Sequence, residues 1–491
     1  MHFNRRNFMK ATGASVFLPA IIGRSWAAEA GAPLPIPEVM DLGNGSMGEL
    51  TAQLGRHEFL QGQSTQTAGY SQSYLGPLIR MNRGETANVR LDNTIDEPIS
   101  VHWHGLHIEG YLDGGPHTPV LPNTPREAAL DIEQPAATLW YHSHIMERTG
   151  AHVWYGLAGM LWIDDPDAPD SGLPETYGED DLPIVVQDRK FGSNGELVYT
   201  PRGPSLMMGY RGDEILVNGA IQPEASVPAG MVRLRILNGS NARIYHFGFE
   251  DGRRFYQVGS DGGLLPAPVD MNVLTLSPAE RAEIIVDFSD GKDVRLMSGP
   301  DNNAMGGMGG GGGGMMGGMM GGSSPASDAN GSFEVMRFTV NSGLTPKVTT
   351  LADTLAGAAK VEFGEPVRRR SFQLQMRGSM MSGSMKINGV EMKMDVINEQ
   401  VNIGDTEIWE VSADEMQHPF HVHGTSFKVL SHQGVPTNSA NIGLKDVVLV
   451  NGKAEILVKF DRMADANAPY MYHCHILEHE DFGMMGQFTV T

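Results

Sequence analysis

The chain has one cysteine in 491 residues, and it stands between two histidines, in Tyr472-His473-Cys474-His475. His479 follows five residues after the cysteine and Met484 ten after. Thiolate, imidazole and thioether are soft and borderline donors that suit copper, and one Cys, two His and a weak axial Met make a trigonal blue-copper site. The C-terminal stretch offers Cys474, His479 and Met484, so one histidine must come from elsewhere. Three other stretches supply histidines: His102-Trp103-His104, His142-Ser143-His144 and His418-x-x-His421-x-His423. The four motifs use ten of the 17 histidines. They lie towards opposite ends of the chain, so a fold that uses them together must press its N-terminal part against its C-terminal part.

On a β-strand, residues i and i+2 share a face and i+1 points the other way. Each His-x-His then offers two imidazoles side by side, roughly 6–7 Å apart along the strand. That spacing suits two neighbouring metals better than chelation of one. In His473-Cys474-His475 the same alternation sets the cysteine on the opposite face from its neighbours. One strand can then touch a thiolate copper on one side and a histidine-bound cluster on the other, with the peptide between them a short covalent path for electrons. The natural fourth ligand of the thiolate site is His418, which lies outside the His421-x-His423 pair. Eight histidines in four pairs remain, too many for one ion and enough for three coppers at two or three ligands each. An all-histidine site in isolation suits zinc equally; the Cys-His-Met loop favours copper.

The surrounding sequence reads as β structure. Leu78–Leu91 is strand, turn, strand, and it leads into Val101–Gly105. A similar order of turn, strand, turn and aromatic or histidine strand recurs from Val217 to Gly248 and from Ile387 to Gly424. The repeat is weak but of domain size. With 61 glycines and 29 prolines, it predicts β-sandwiches. The length calls for roughly three domains: residues 31–170, closed by the polar Asp164–Asp170 linker, 171–345 and 346–491. Residues 31–75 read as loop-rich. The middle unit has lost the histidine pairs, keeping His246 with Gly248 in place of the second histidine, so it reads as a spacer.

Two segments stand apart. Asn4-Arg5-Arg6-Asn7-Phe8-Met9-Lys10 and the short apolar run to Ile22 resemble a twin-arginine signal, with cleavage before about residue 31 and export to the bacterial periplasm. Met305–Gly322 contains only six methionines and twelve glycines, which cannot build a core. Its thioethers suit cuprous ion. A second methionine group is Met376, Met380, Met381, Met385, Met392 and Met394; Met207 and Met208 read as packing. The net charge of −22 argues against nucleic acid or anionic membrane as partner. No stretch is long and apolar enough to cross a bilayer.

The four motifs, in this order and at these ends of the chain, resemble the multicopper oxidase family. The resemblance implies an all-β chain of three cupredoxin-like Greek-key domains and four copper ions. Carried over by position, His418, Cys474 and His479 bind type 1 copper with Met484 axial, and His102 and His421 hold type 2 copper. His104, His142 and His475 hold one type 3 ion; His144, His423 and His473 hold the other. Dioxygen is reduced to water with four electrons and four protons, and the family's relay carboxylates match Asp113 and Glu480. Within the family the likeness is to periplasmic copper-efflux oxidases, which oxidise cuprous ion. Their substrate copper site matches Asp414 and Met416, with Met376 as a further ligand. A further family aspartate is replaced here by Met381, and the methionine-rich segment lies near the end of the second domain rather than within the third. Two alternatives stay open: a laccase-like oxidase of phenols or aromatic amines, and a non-enzymatic copper-binding protein. A monomer is expected.

Overall fold

The computed structural model describes residues 31–301, 303, 325–328, 331–358, 360–377, 384–432 and 442–491, without the side chains of Asn44, Arg377, Asp414 and Glu415. The paired-arginine segment, Met305–Gly322, Met380 and Met381 lie outside these residues. Almost all regular structure is strand, with short helices at Thr149–Tyr155, Pro204–Met207 and Leu477–Asp481. No helix among the described residues is long and apolar enough to cross a membrane.

Three apolar cores follow one another along the chain. The first lies between a five-stranded sheet that ends on His102–His104 and a four-stranded sheet built from Met47–Leu60, Gln63–Tyr70, Thr86–Asn93 and Arg126–Asp131. Both sheets send alternate residues into it, among them Leu50, Val89 and Leu130 from one and Ile79, Leu139 and Leu161 from the other. The second lies between a seven-stranded and a five-stranded sheet and is filled by Ile184, Ile236, Ile284, Phe247, Leu296 and Phe338, among others. The third sits within one eight-stranded sheet around Phe372, Trp409, Phe420, Ile456 and Phe488.

The expectation of loop in residues 31–75 is corrected. Met47–Leu60 and Gln63–Tyr70 form a long antiparallel hairpin, with Val39–Asp41 a short strand before it. The strands are rich in Gly, Gln and Thr, because their outer faces meet water and some inner positions meet backbone. A Cβ on Gly55 would lie 2.6 Å from the Ser73 backbone, so that position must carry no side chain. Low apolar content hid a real strand pair.

In the third sheet, one 17-residue strand, Thr406–Val422, serves two sets of partners. Its first half pairs with Arg368–Arg377 and its last residues with Tyr470–Cys474. Its register against Val447–Lys459 shifts between Ala413 and His418, and such an irregularity bends a strand. The bend lies immediately before the third histidine motif.

Gly114 turns the loop that carries Asp113. Its φ is +81°, and a Cβ there would lie 1.8 Å from the Val101 carbonyl oxygen and 2.8 Å from His102 N. Gly114→Ala is expected to move the His102 strand and Asp113 together. Thermal unfolding should begin at a lower temperature, and the copper bound per chain, measured by elemental analysis, should fall.

Candidate metal centre

Strand register assembles the histidines. In the first unit His102 pairs directly with His142. In the third, His421 pairs directly with His473 and Phe420 with Cys474. Directly paired residues point to the same face. The two His-His pairs therefore face the space between the units, while Cys474 and Phe420 turn into the third core. Ring centroids within each His-x-His pair are 5.5 Å apart for His102 and His104, 5.9 Å for His142 and His144, 4.8 Å for His421 and His423, and 5.4 Å for His473 and His475. All eight are buried.

The eight interlock across the interface. His144 Nε2 lies 3.3 Å, and His423 Nε2 3.1 Å, from His473 Nε2. His102 groups with His421 and His423, and also with His104 and His142, each set with ring nitrogens within 4.8 Å of one another. The His475 ring centre is 5.1 Å from that of His104 and 5.4 Å from that of His142.

The outward nitrogens are committed to the protein. His102 Nδ1 donates to the Asp113 carbonyl at 2.9 Å, and His421 Nδ1 to the Asp446 carbonyl at 2.8 Å. His423 Nδ1 donates to Asp113 Oδ2 at 2.7 Å, and His104 Nε2 to Asp446 Oδ1 at 3.1 Å. Such bonds fix tautomer and ring orientation at metal sites. The inward atoms have no partner: His102 Nε2, His104 Nδ1, His142 Nε2, His421 Nε2 and both ring nitrogens of His475. Burial, helped by neighbouring imidazoles, holds His142, His421 and His423 well below the usual histidine range, and burial lowers His144 to about 4. Burial pulls His102 down as well, but the Asp113 carboxylate overrides it and leaves His102 raised. Inward, unpartnered ring nitrogens, most of them on imidazoles kept neutral by burial, fit bound metal ions.

On the far face of the same strand, His418 Nδ1 lies 3.4 Å from Cys474 Sγ and 3.3 Å from His479 Nδ1, and Cys474 Sγ lies 3.7 Å from His479 Nδ1. His479 Nε2 donates to the Met207 carbonyl at 2.9 Å, leaving Nδ1 inward. Met484 is bracketed through its backbone: its carbonyl accepts from Cys474 N at 3.0 Å and its N–H donates to His479 O at 2.9 Å. Burial pushes the Cys474 thiol far above its usual range, so only a bound cation can hold the thiolate there.

Two carboxylates back the histidine cluster. Asp113 Oδ2 stands between His423 Nδ1 and His102 Nδ1, 3.4 Å from the latter. Glu480 reaches His144 Nδ1 at 3.4 Å and His473 Nδ1 at 3.2 Å. Burial opposes the Glu480 charge, but the flanking histidines outweigh it and hold its carboxyl well below the usual range. Met376 and Met416 are half-buried against the core that holds Cys474, and so is Met207. Asp414 lies in the same long strand, but its side chain lies outside the described set.

The sequence reading missed two residues behind the cluster. Asp446 holds His104 and His421 as described, and Arg281 from the middle unit grips Asp446, donating from Nη1 to Oδ1 at 2.7 Å and from Nη2 to Oδ2 at 2.5 Å. Both are buried. The available signal was charge inside apolar runs, in Glu280-Arg281-Ala282-Glu283-Ile284-Ile285 and Lys445-Asp446-Val447-Val448. His246, the middle unit's remnant histidine, bonds Thr275 Oγ1 at 2.8 Å and joins none of these groups.

Residues 51–168 and 365–491 match family models described as multicopper oxidase. The chain is 34% identical to the Yersinia pestis protein named cell division protein FtsP, covering 100% of this chain and 98% of that one. It is 33% identical to the Escherichia coli K12 protein of the same name, covering 100% and 99%. Among solved structures, the laccase-like multicopper oxidase CueO of an Ochrobactrum species superposes with a TM-score of 0.83 at 39% identity, over 94% of this chain and 100% of that one. McoA multicopper oxidase from Aquifex aeolicus superposes at 0.80 and 31% identity, over 94% and 100%. With two family models flanking a middle unit, full-length relatives and buried histidine groups suited to copper, the chain belongs to the multicopper oxidase family.

Proposed function

We propose that this protein is a four-copper oxidase that oxidises cuprous ion in the bacterial periplasm, as a monomer, and reduces dioxygen to water. Three units, 31–170, 171–345 and 346–491, would each form a cupredoxin-like domain. His418, Cys474, His479 and Met484 would hold type 1 copper, and His102 and His421 type 2. His104, His142 and His475 would hold one type 3 ion, and His144, His423 and His473 the other. When bound, the copper ions supply one-electron transfer at the thiolate and dioxygen reduction at the histidines. The chain's own part is to bury and orient the imidazoles, to link the sites through the Cys474 peptide, and to relay protons through Asp113 and Glu480. Asp113 Oδ1 accepts no hydrogen bond, and Glu480 lies as a carboxylate against His144 and His473, so each offers an oxygen that can pass a proton on beside the cluster.

The preference for cuprous substrate rests on one contact. Asn303 Nδ2 donates to the Gln417 carbonyl at 2.8 Å, and Gln417 N donates back to Asn303 Oδ1 at 3.1 Å. Asn303, two residues before the glycine-methionine segment in sequence, is thus pinned beside His418. At the thiolate site Met376, Met416 and Asp414 would receive the substrate ion. Export rests on the paired arginines at residues 5 and 6.

Two other readings have specific support. The Ochrobactrum enzyme is described as acting on lignin model compounds and lignosulfonate, which favours a phenol oxidase. The relatives named for cell division favour a non-enzymatic role. The complete set of ten histidines and the cysteine, gathered into buried groups, supports an oxidase over the latter.

Deleting residues 305–322 should lower the rate of cuprous oxidation several-fold while leaving phenol oxidation near its original rate. No cuprous oxidation by the intact copper-loaded protein would refute the proposal. Cys474→Ser should abolish the intense visible thiolate-to-copper absorption and turnover while the histidine cluster still binds copper, as shown by elemental analysis and paramagnetic resonance. Asp113→Asn should keep the visible band and slow reoxidation by dioxygen in stopped flow, roughly 10²-fold or more for a lost proton-transfer group. Unchanged reoxidation would remove Asp113 from the relay.

A further inference from the structure

Four methionines pack together away from the thiolate site. Met392, Met471 and Met485 are buried and form an apolar cluster containing no other residue type, with half-buried Met146 against it. The larger cores are dominated by Val, Ile, Leu and aromatic residues. Methionine fills irregular gaps but specifies shape poorly, so an all-methionine cluster is a weak way to pack a core. It is a good way to bind a soft cation, since thioethers select cuprous ion over hard ions.

Register places the cluster beside the histidines. Met471 and His473 are two apart on one strand and share a face. Met485 lies directly opposite His473, and Gln487 directly opposite Met471. Met146 follows His144 by two residues. The Met471 carbonyl accepts the His423 N–H at 3.0 Å. Three of the four methionines are thus tied by chain position, register or hydrogen bond to the His144, His423 and His473 triad, whose ring nitrogens lie within 4.8 Å of one another. The Met392 segment is fastened over them: Met392 N donates to Gly483 O at 3.1 Å, and Gln487 Nε2 donates to Met394 O at 3.1 Å and Val396 O at 2.7 Å. Met146, half-buried at the edge of the cluster, is its most exposed member.

We propose that Met146, Met392, Met471 and Met485 form a soft-metal site for cuprous ion, through which copper enters the adjacent histidine triad during assembly. Transfer exchanges thioether for imidazole ligands, with no change of oxidation state. The site is separate from the Met376 and Met416 group. It rests on the triad holding copper, and not on which substrate the enzyme oxidises.

Silver(I), a redox-inert stand-in for cuprous ion, tests it. Crystals of the full copper-loaded chain soaked in silver should show anomalous scattering among these four sulfurs. Met392→Leu with Met471→Leu, a nearly volume-conserving change, should remove it. Silver found only at other methionines or at histidines, or undiminished occupancy in the double variant, overturns the site. Metal-free protein given chelator-buffered cuprous ion should fill its histidine cluster several-fold more slowly in the double variant, read as copper per chain over time; an equal rate overturns the entry role. Should the double variant not fold, Met146→Leu at the half-buried rim serves in the same two measurements, with reduced silver occupancy and slower filling expected. Because neither measurement needs turnover, failure to oxidise cuprous ion would sink the substrate assignment and leave this one standing.

Discussion

The ion pair between Arg281 and Asp446 is the constraint on which the centre depends. Both residues are buried, and an unpaired charge there would cost several kcal/mol, ~3–5 kcal/mol when one partner of such a pair is removed. Asp446 orients His104 from the first unit and His421 from the third, while its charge is balanced from the second. Arg281 also donates from Nε to the Thr138 carbonyl of the first unit at 3.1 Å. Lys445 next door pairs with Asp261 at 2.9 Å and Glu280 at 2.8 Å. The unit without metal-site histidines is therefore the brace of the cluster wall.

A second brace stands on the other side. Asn241 Nδ2 donates to Gly150 O and to Glu478 Oε1, both at 3.0 Å, and Leu477 N donates to the Asn241 carbonyl at 3.1 Å. Asp481 accepts from Thr149 N at 2.9 Å and Gly150 N at 3.0 Å. The short helix that carries His479 and Glu480 is thus fixed from two units at once. This fixing explains how so many imidazoles stay aimed inward. Each unpartnered buried nitrogen costs about 1–3 kcal/mol, so bound copper contributes to stability as well as chemistry.

The four histidine motifs were legible because alternation on a strand is a strict rule, and it assigned Cys474 to the opposite face from His473 and His475 before any coordinates. Successive strands such as Leu78–Asn82 and Thr86–Asn93 followed from the same pattern, although they belong to different sheets. The Met47–Tyr70 hairpin did not, since its glycines and glutamines carry no apolar period. Arg281 and Asp446 showed only as charges inside apolar runs, and their pairing, like the Asn303 contact with Gln417, depends on how separate units dock. The methionine cluster was half visible: Met392 belonged to a noted group, but its partners Met471, Met485 and Met146 lie scattered among the histidine motifs.

The alternation at Tyr470–Cys474 also bears on how the chain can change over generations. A slip of one residue in this strand would turn the thiol towards the histidine cluster and both imidazoles into a hydrocarbon core. No intermediate register serves either site, so a single-residue insertion or deletion here is lethal to both at once. The same geometry acts as a check during folding: a misregistered chain cannot complete either ligand set, and so forgoes the stabilisation that metal binding brings to the correct one.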